Sequence, residues 1–296
     1  MYKAAFFDID GTLVSFKTHC VPASAKRAIE TLRSNGIKCF ISSGRHLAII
    51  DNLDDIRFDG YVTVNGGMTY YNGELIDSNP ICPTDVYETL KMVYPAECAV
   101  KQRIKPFAVS FVMKDGLVMN VENDKTHEVF DQLGVKQKPR LTDLRTVADQ
   151  SVYQMISFFG KEEEAPILDI LSNCESQRWS PLFSDLVPKG QSKVRGIKKL
   201  CDIVGADRTE IIAFGDGGND IAMLRYAGLG VAMGNAADSV KQEADVVCPA
   251  VDDDGIEWVV KEVLHLKQES QPFFASHTPR ESWRHYPHNI NTLLRI

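Results

Sequence analysis

The 296-residue sequence has no apolar run near the 18 or so residues that a membrane-spanning helix needs. Its first apolar stretch is cut by Asp8, so no signal-peptide pattern of basic start, apolar core and small-residue cleavage site can be read there. Basic charge is also short. Against 40 Asp and Glu stand 33 Lys and Arg, a net charge of −7, and nucleic acid or an anionic membrane surface needs a basic face. The seven cysteines are odd in number and include no Cys-x-x-Cys pair. That pattern excludes a disulfide framework or thiolate zinc site and reads as buried thiols in a reducing compartment. The histidines show no ligand spacing. These absences predict a cytoplasmic protein, a monomer or weak homo-oligomer, with neither nucleic acid nor membrane as partner. What is present is globular composition, 44% hydrophobic and 25% charged, at a length that suits two domains.

Apolar runs and helical patterns alternate at both ends of the chain. A continuous apolar run over 2–9 predicts a strand buried on both faces. A helix over 22–34, a strand over 37–41, a short helix opened by Ser43-Gly44 and a strand over 61–64 follow, with Asn65-Gly66-Gly67 and Asn72-Gly73 marking the turns of a hairpin. This rhythm implies right-handed crossovers and a parallel sheet. From Lys189 it returns, with strands over 211–214, 229–232 and 246–248. Between them the texture changes: paired strand runs around Lys114-Asp115-Gly116, a helix over 125–133, an acidic helix over 161–171 and strands near 152–159, 174–179 and 182–187. The expected fold is therefore α/β, a Rossmann-like parallel-sheet core (1–81 and 188–266) with an inserted α+β unit (82–187) whose helices cover one side of an antiparallel sheet. The last residues, 267–296, lose periodicity and read as a poorly ordered extension or an aromatic-bearing arm.

The chemistry-bearing residues sit where apolar strands end, the ligand side of an open parallel sheet. Asp8-Ile9-Asp10-Gly11-Thr12 closes the first strand, and two carboxylates two residues apart project to the same side. Asp-x-Asp-Gly also occurs in calcium loops, but the downstream ligands of an EF-hand are missing. Gly215-Asp216-Gly217-Gly218-Asn219-Asp220 closes another strand with more hard oxygen ligands. Two acidic strand ends repel unless a cation lies between them, and carboxylates with water suit Mg2+. Ser43-Gly44 offers a hydroxyl and a backbone N–H to an anion. Lys189, at the return from the insertion, offers a compact positive charge. An N-capping serine and a surface lysine explain the last two equally well when each is taken alone.

In order, Asp-x-Asp-Gly-Thr, Ser-Gly-Arg, Lys-Gly and Gly-Asp-Gly-x-Asn-Asp resemble the haloacid dehalogenase superfamily, and more narrowly the Cof-type sugar phosphatases, whose type IIB cap is inserted between the second and third motifs. The resemblance runs over about 2–266. It implies a Mg2+-dependent phosphatase of small phosphorylated metabolites, with hexose or pentose phosphates foremost. Asp8 would be the nucleophile that becomes an aspartyl phosphate, and Asp10 the general acid and then base. The metal would be held by the Asp8 carboxylate, the Asp10 main-chain carbonyl and Asp216. Ser43, Gly44, Lys189 and Asn219 would hold the phosphoryl oxygens, and Asp220 would orient the lysine or a metal-bound water. Arg45 either touches the phosphate or pairs outward. Arg178 and Trp179 either meet a sugar or pack within the cap. Pyridoxal phosphate and flavin-precursor phosphates are alternative substrates. A phosphomutase and a non-catalytic sugar-phosphate sensor are the alternative activities.

Overall fold

The computed structural model describes residues 1–53, 55–95, 104–132, 138–178 and 180–267. The expected extension beyond 267 and the proposed sugar contact Trp179 lie outside them.

The elements run β1 (Ala4–Phe7), α1 (Ala23–Ser34), β2 (Lys38–Ser42), β3 (Gly60–Thr63), β4 (Met68–Tyr71), β5 (Glu74–Ser78), α2 (Pro83–Val93), β6 (Ala108–Met113), β7 (Gly116–Met119), α3 (Asp124–Gln132), β8 (Arg140–Leu141), β9 (Val152–Phe158) and α4 (Lys161–Ile170). They continue as β10 (Cys174–Gln177), β11 (Ser184–Pro188), α5 (Lys193–Val204), β12 (Ile211–Gly215), α6 (Ile221–Tyr226), β13 (Leu229–Ala232), α7 (Asp238–Lys241), β14 (Val246–Val247) and α8 (Gly255–Trp258), which passes into a π-helical turn, Val259–Val263.

One eight-stranded sheet has the order β14-β13-β12-β1-β2-β3-β4-β5. Its pairs are parallel as far as β3, and β4 and β5 extend it antiparallel as the expected hairpin. Because side chains alternate along a strand, β1 sends Ala5 and Phe7 to one face and Ala4 and Phe6 to the other. The first face packs with α1 and α8, the second with α5, α6 and α7. The all-apolar β1 is thereby buried on both sides. Phe7 stacks on Phe214 of β12 with ring centroids 4.9 Å apart.

The second sheet, β10-β11-β9-β6-β7-β8, is antiparallel except for the β7–β8 pair. Here the structure corrects two expectations. β8 has only two residues, too short for a periodic signal. The helices also cover both faces: Val109 and Phe111 of β6 pack with α2 and α4, whereas Ala108 packs with Val129 and Phe130 of α3. An apolar seam joins the two sheets, with Val64, Met68 and Tyr70 on one side and Val112 and Tyr153 on the other.

Candidate active site

Strand register brings the two acidic turns together. Phe7 of β1 and Phe214 of β12 are direct partners, and the Asp8 N–H donates to the Phe214 carbonyl at 3.0 Å. Asp8 and Asp216 therefore lie one and two residues beyond paired positions. The carboxylates of Asp8, Asp216 and Asp220 each offer an oxygen to one cluster, all within 4.8 Å of one another. Gly11, at φ +78°, lets the chain leave β1 beside this cluster, since a Cβ there would sit 2.2 Å from the Asp216 carboxylate. Thr12 Oγ1 donates to Asp216 Oδ1 at 2.9 Å, and Asn235 Nδ2 to the Gly11 carbonyl at 2.8 Å.

The cation in this cluster is Lys193, which corrects the expectation for Lys189. Lys189 is exposed in the turn after β11, its N–H bonded to the Asn173 carbonyl at 2.9 Å. Lys193, in the first turn of α5, is fully buried, and its Nζ lies 2.6 Å from both Asp8 Oδ1 and Asp220 Oδ1. A readable signal existed. Lys193, Gly196, Ile197, Leu200 and Cys201 form one stripe at helical spacing, and all five are buried. A lysine on the apolar stripe of a helix needs a buried partner. Gly66 allows the neighbouring loop to close on the start of α5, because a Cβ there would meet the Ser192 carbonyl at 2.1 Å.

Asp220 spends both oxygens within the fold. Oδ1 accepts from Lys193, and Oδ2 from the N–H groups of Asp216 and Gly217 at 3.0 and 2.9 Å. Burial, then the negative charges of Asp220 and Asp216, push the Asp8 carboxyl well above the ordinary range, against the pull of Lys193. Burial and Asp220 push Asp216 up to about 7. Burial works against the Lys193 ammonium, but Asp220 and Asp8 outweigh it and hold its pKa above the ordinary amine value. Three carboxylates around one ammonium leave excess negative charge, and this donor set fits a hard divalent cation.

In protein stripped of metal, the sign follows from Asp216. Its folded value of about 7 lies above the ordinary carboxylate value near 4. Between those pH values the folded state binds more protons than the unfolded state, so this group's contribution to stability falls as pH rises. Thermal melting in EDTA should therefore lose more stability between pH 5 and 7 in wild type than in Asp216→Asn, and added Mg2+ should raise the melting temperature more at pH 7.5 than at pH 5. Equal metal stabilisation at both pH values would refute the shift.

The remaining expected residues are placed as follows. Asp10 points its carboxylate at Arg45, which donates from Nε at 2.8 Å and from a terminal nitrogen at 2.6 Å. Arg45 thus pairs inward, with a partner that neither expected alternative named. Ser43 and Gly44 follow β2, but no helix opens there; the first helical turn is Leu47–Ile49. Ser43 Oγ instead accepts the Arg45 N–H at 3.2 Å, a serine turn that competes with helix formation. Asn219 Nδ2 donates to Asn65 Oδ1 at 3.0 Å. Asn65 is buried in left-handed backbone at φ 51°; its Asn-Gly-Gly context reads only as a turn, so its place beside Gly44 was not foreseen. Arg178 is spent inside the second sheet's unit, 2.6 Å from Glu164 and 2.9 Å from the Phe183 carbonyl. That leaves it no role at a substrate.

The sequence profile of the haloacid dehalogenase-like hydrolases matches residues 5–260. YkrA of Bacillus subtilis, described as a phosphatase, is 32% identical over 272 residues, covering 90% of this chain and 99% of its own. A solved sugar phosphatase of subclass IIB of this superfamily is 37% identical and superposes with a TM-score of 0.78, covering 88% of this chain and 98% of its own. YitU of Bacillus subtilis, a 5-amino-6-(5-phospho-D-ribitylamino)uracil phosphatase, is 36% identical over 132 residues, 42% of this chain and 48% of that protein.

Proposed function

The chain belongs to the haloacid dehalogenase-like hydrolases and is a phosphoric monoester hydrolase, and from that premise we propose a Mg2+-dependent phosphatase of small phosphorylated sugars working through an aspartyl phosphate. The observation that carries the reading is Lys193, buried between Asp8 and Asp220 beside Asp216.

Asp8 attacks phosphorus, and the bond from phosphorus to the leaving oxygen breaks. Asp10 gives that oxygen its proton, turning from Arg45 to do so. Water then attacks phosphorus, Asp10 takes a proton from it, and the acyl phosphate opens to inorganic phosphate and the Asp8 carboxylate. Asp8, Asp216 and the Asp10 main-chain carbonyl would hold Mg2+, which screens the approach of an anionic phosphate to an anionic nucleophile. Lys193 serves the same end from the buried side, and Asp220 fixes Lys193. Ser43, the Gly44 N–H and Asn219 line the phosphoryl side, with Asn65 holding the Asn219 amide.

Residues 82–187 act as the cap over this core, and the location is the cytoplasm. No helix among the described residues is long and apolar enough to cross a membrane. The sugar phosphatase neighbour supports a sugar phosphate as substrate. The partial likeness to YitU supports a ribityl-bearing flavin precursor as the second reading. Initial rates over a panel of hexose, pentose and flavin-precursor phosphates with Mg2+ should show kcat/KM concentrated in one of these classes and no turnover in EDTA. Undiminished turnover in EDTA, or none above an Asp8→Asn control, would defeat the proposal.

A further inference from the structure

Three consecutive residues after β2 look in three directions. Arg45 holds Asp10, and its carbonyl accepts the Val64 N–H at 3.1 Å. Leu47 packs into the apolar seam between the two sheets, with Val64, Met68 and Tyr70 of one and Val112, Leu117 and Tyr153 of the other. Between them His46 is only 4% exposed. Its Nδ1 accepts the Ala48 N–H at 3.2 Å, which assigns the proton of the neutral ring to Nε2. Nε2 is buried without a hydrogen-bond partner, a costly state for a donor. Burial lowers the basicity of His46, and the main chain of Lys114 and Met113 opposes that shift. A backbone group that favours a protonated imidazole does so through its carbonyl, so the orphaned N–H faces the carbonyls where β6 turns into β7. The charged groups around it are Lys114 and Asp115 of that turn, with Arg45 and Asp10 on the opposite side.

We propose that His46 is a positioning residue: through Nε2–H it docks the β6–β7 turn of the second sheet onto the loop that carries Arg45, and so couples the seating of that sheet to the placement of Asp10. Only the final coupling rests on the catalytic reading. The docking is a separate physical claim. It also explains why a polar ring occupies a dry position in which an aliphatic side chain would continue the seam.

Two substitutions separate docking from mere support of the turn. His46→Asn keeps an acceptor for the Ala48 N–H but removes the distant donor. His46→Gln places an amide donor near the Nε2 position but loses the near acceptor. By hydrogen–deuterium exchange, peptides over 113–119 should exchange about fivefold faster in His46→Asn, the scale of one hydrogen bond, with β1 and β2 unchanged. His46→Gln should stay within about twofold of wild type. In steady-state hydrolysis, kcat should fall about fivefold in His46→Asn and recover in His46→Gln, with KM changing less than kcat. Melting temperatures of both variants distinguish local release from global loss. If Gln is as damaging as Asn, or if only Asn preserves the β6–β7 protection, turn support is the whole role and the docking is refuted. The exchange readout holds even if no ester is hydrolysed, so it fails or succeeds apart from the proposed catalytic function.

Discussion

Replacing Asp8 by Asn should abolish turnover by about four orders of magnitude or more while leaving the fold at least as stable as wild type. The activity loss follows because an amide cannot form the acyl phosphate, and removing a nucleophile that acts with its partners costs catalysis on the scale of 10⁴ to 10⁶. The stability follows from the same site with opposite sign. Burial and two neighbouring carboxylates disfavour the ionised form of Asp8, so the charge is held in the native state at an energetic cost. Asn fills nearly the same volume without the charge, and Lys193 keeps Asp220 as a partner at 2.6 Å. Initial rates with p-nitrophenyl phosphate and Mg2+, paired with thermal denaturation in EDTA, measure both effects. A variant that melts well below wild type would show that the Asp8–Lys193 pair stabilises more than burial of the charge costs, and residual turnover above about 1% would exclude Asp8 as nucleophile.

Lys193→Met should be the most destabilising single change at the site, and Lys189→Ala nearly silent. Methionine matches the length of the lysine stem, so packing is retained while the ammonium is lost. Asp8 and Asp220 are then left facing each other in a dry setting with Asp216 beside them. Removing one partner of a buried ion pair costs about 3–5 kcal/mol, and hydrolysis should fall at least about a thousandfold with the loss of charge neutralisation. Mg2+ should restore part of the stability, since a cation relieves the same repulsion. Lys189 is exposed, and its replacement should change stability by no more than about 0.5 kcal/mol. Denaturant melts of both variants with and without Mg2+ provide the test. Equal effects at 189 and 193 would contradict the buried triad.

The parallel core was legible because a strand buried on both faces must be apolar throughout, and residues 4–7 and 211–215 are wholly buried. Asp8 and Asp216 could be identified for the same reason, as the first carboxylates after such runs. Lys193 was overlooked in favour of Lys189 because a Lys-Gly pair draws the eye to a turn, whereas the deciding quantity is which face of α5 a side chain occupies. The Ser43 segment was read as a helix because its hydroxyl suits a cap, yet that hydroxyl bonds to the main chain of its own turn.

Local sequence determined what depends on periodicity and strand ends: the alternation of strands and helices, the two acidic turns, and the change of texture over the insertion. Tertiary structure alone decided which groups meet across long separations: Lys193 with Asp8, Arg45 with Asp10, Asn65 with Asn219, and His46 with the β6–β7 turn. The division has one physical cause. Burial pattern is written every two or four residues along the chain, whereas pairing of charged and polar side chains depends on strand register and helix rotation, which only the packed core sets.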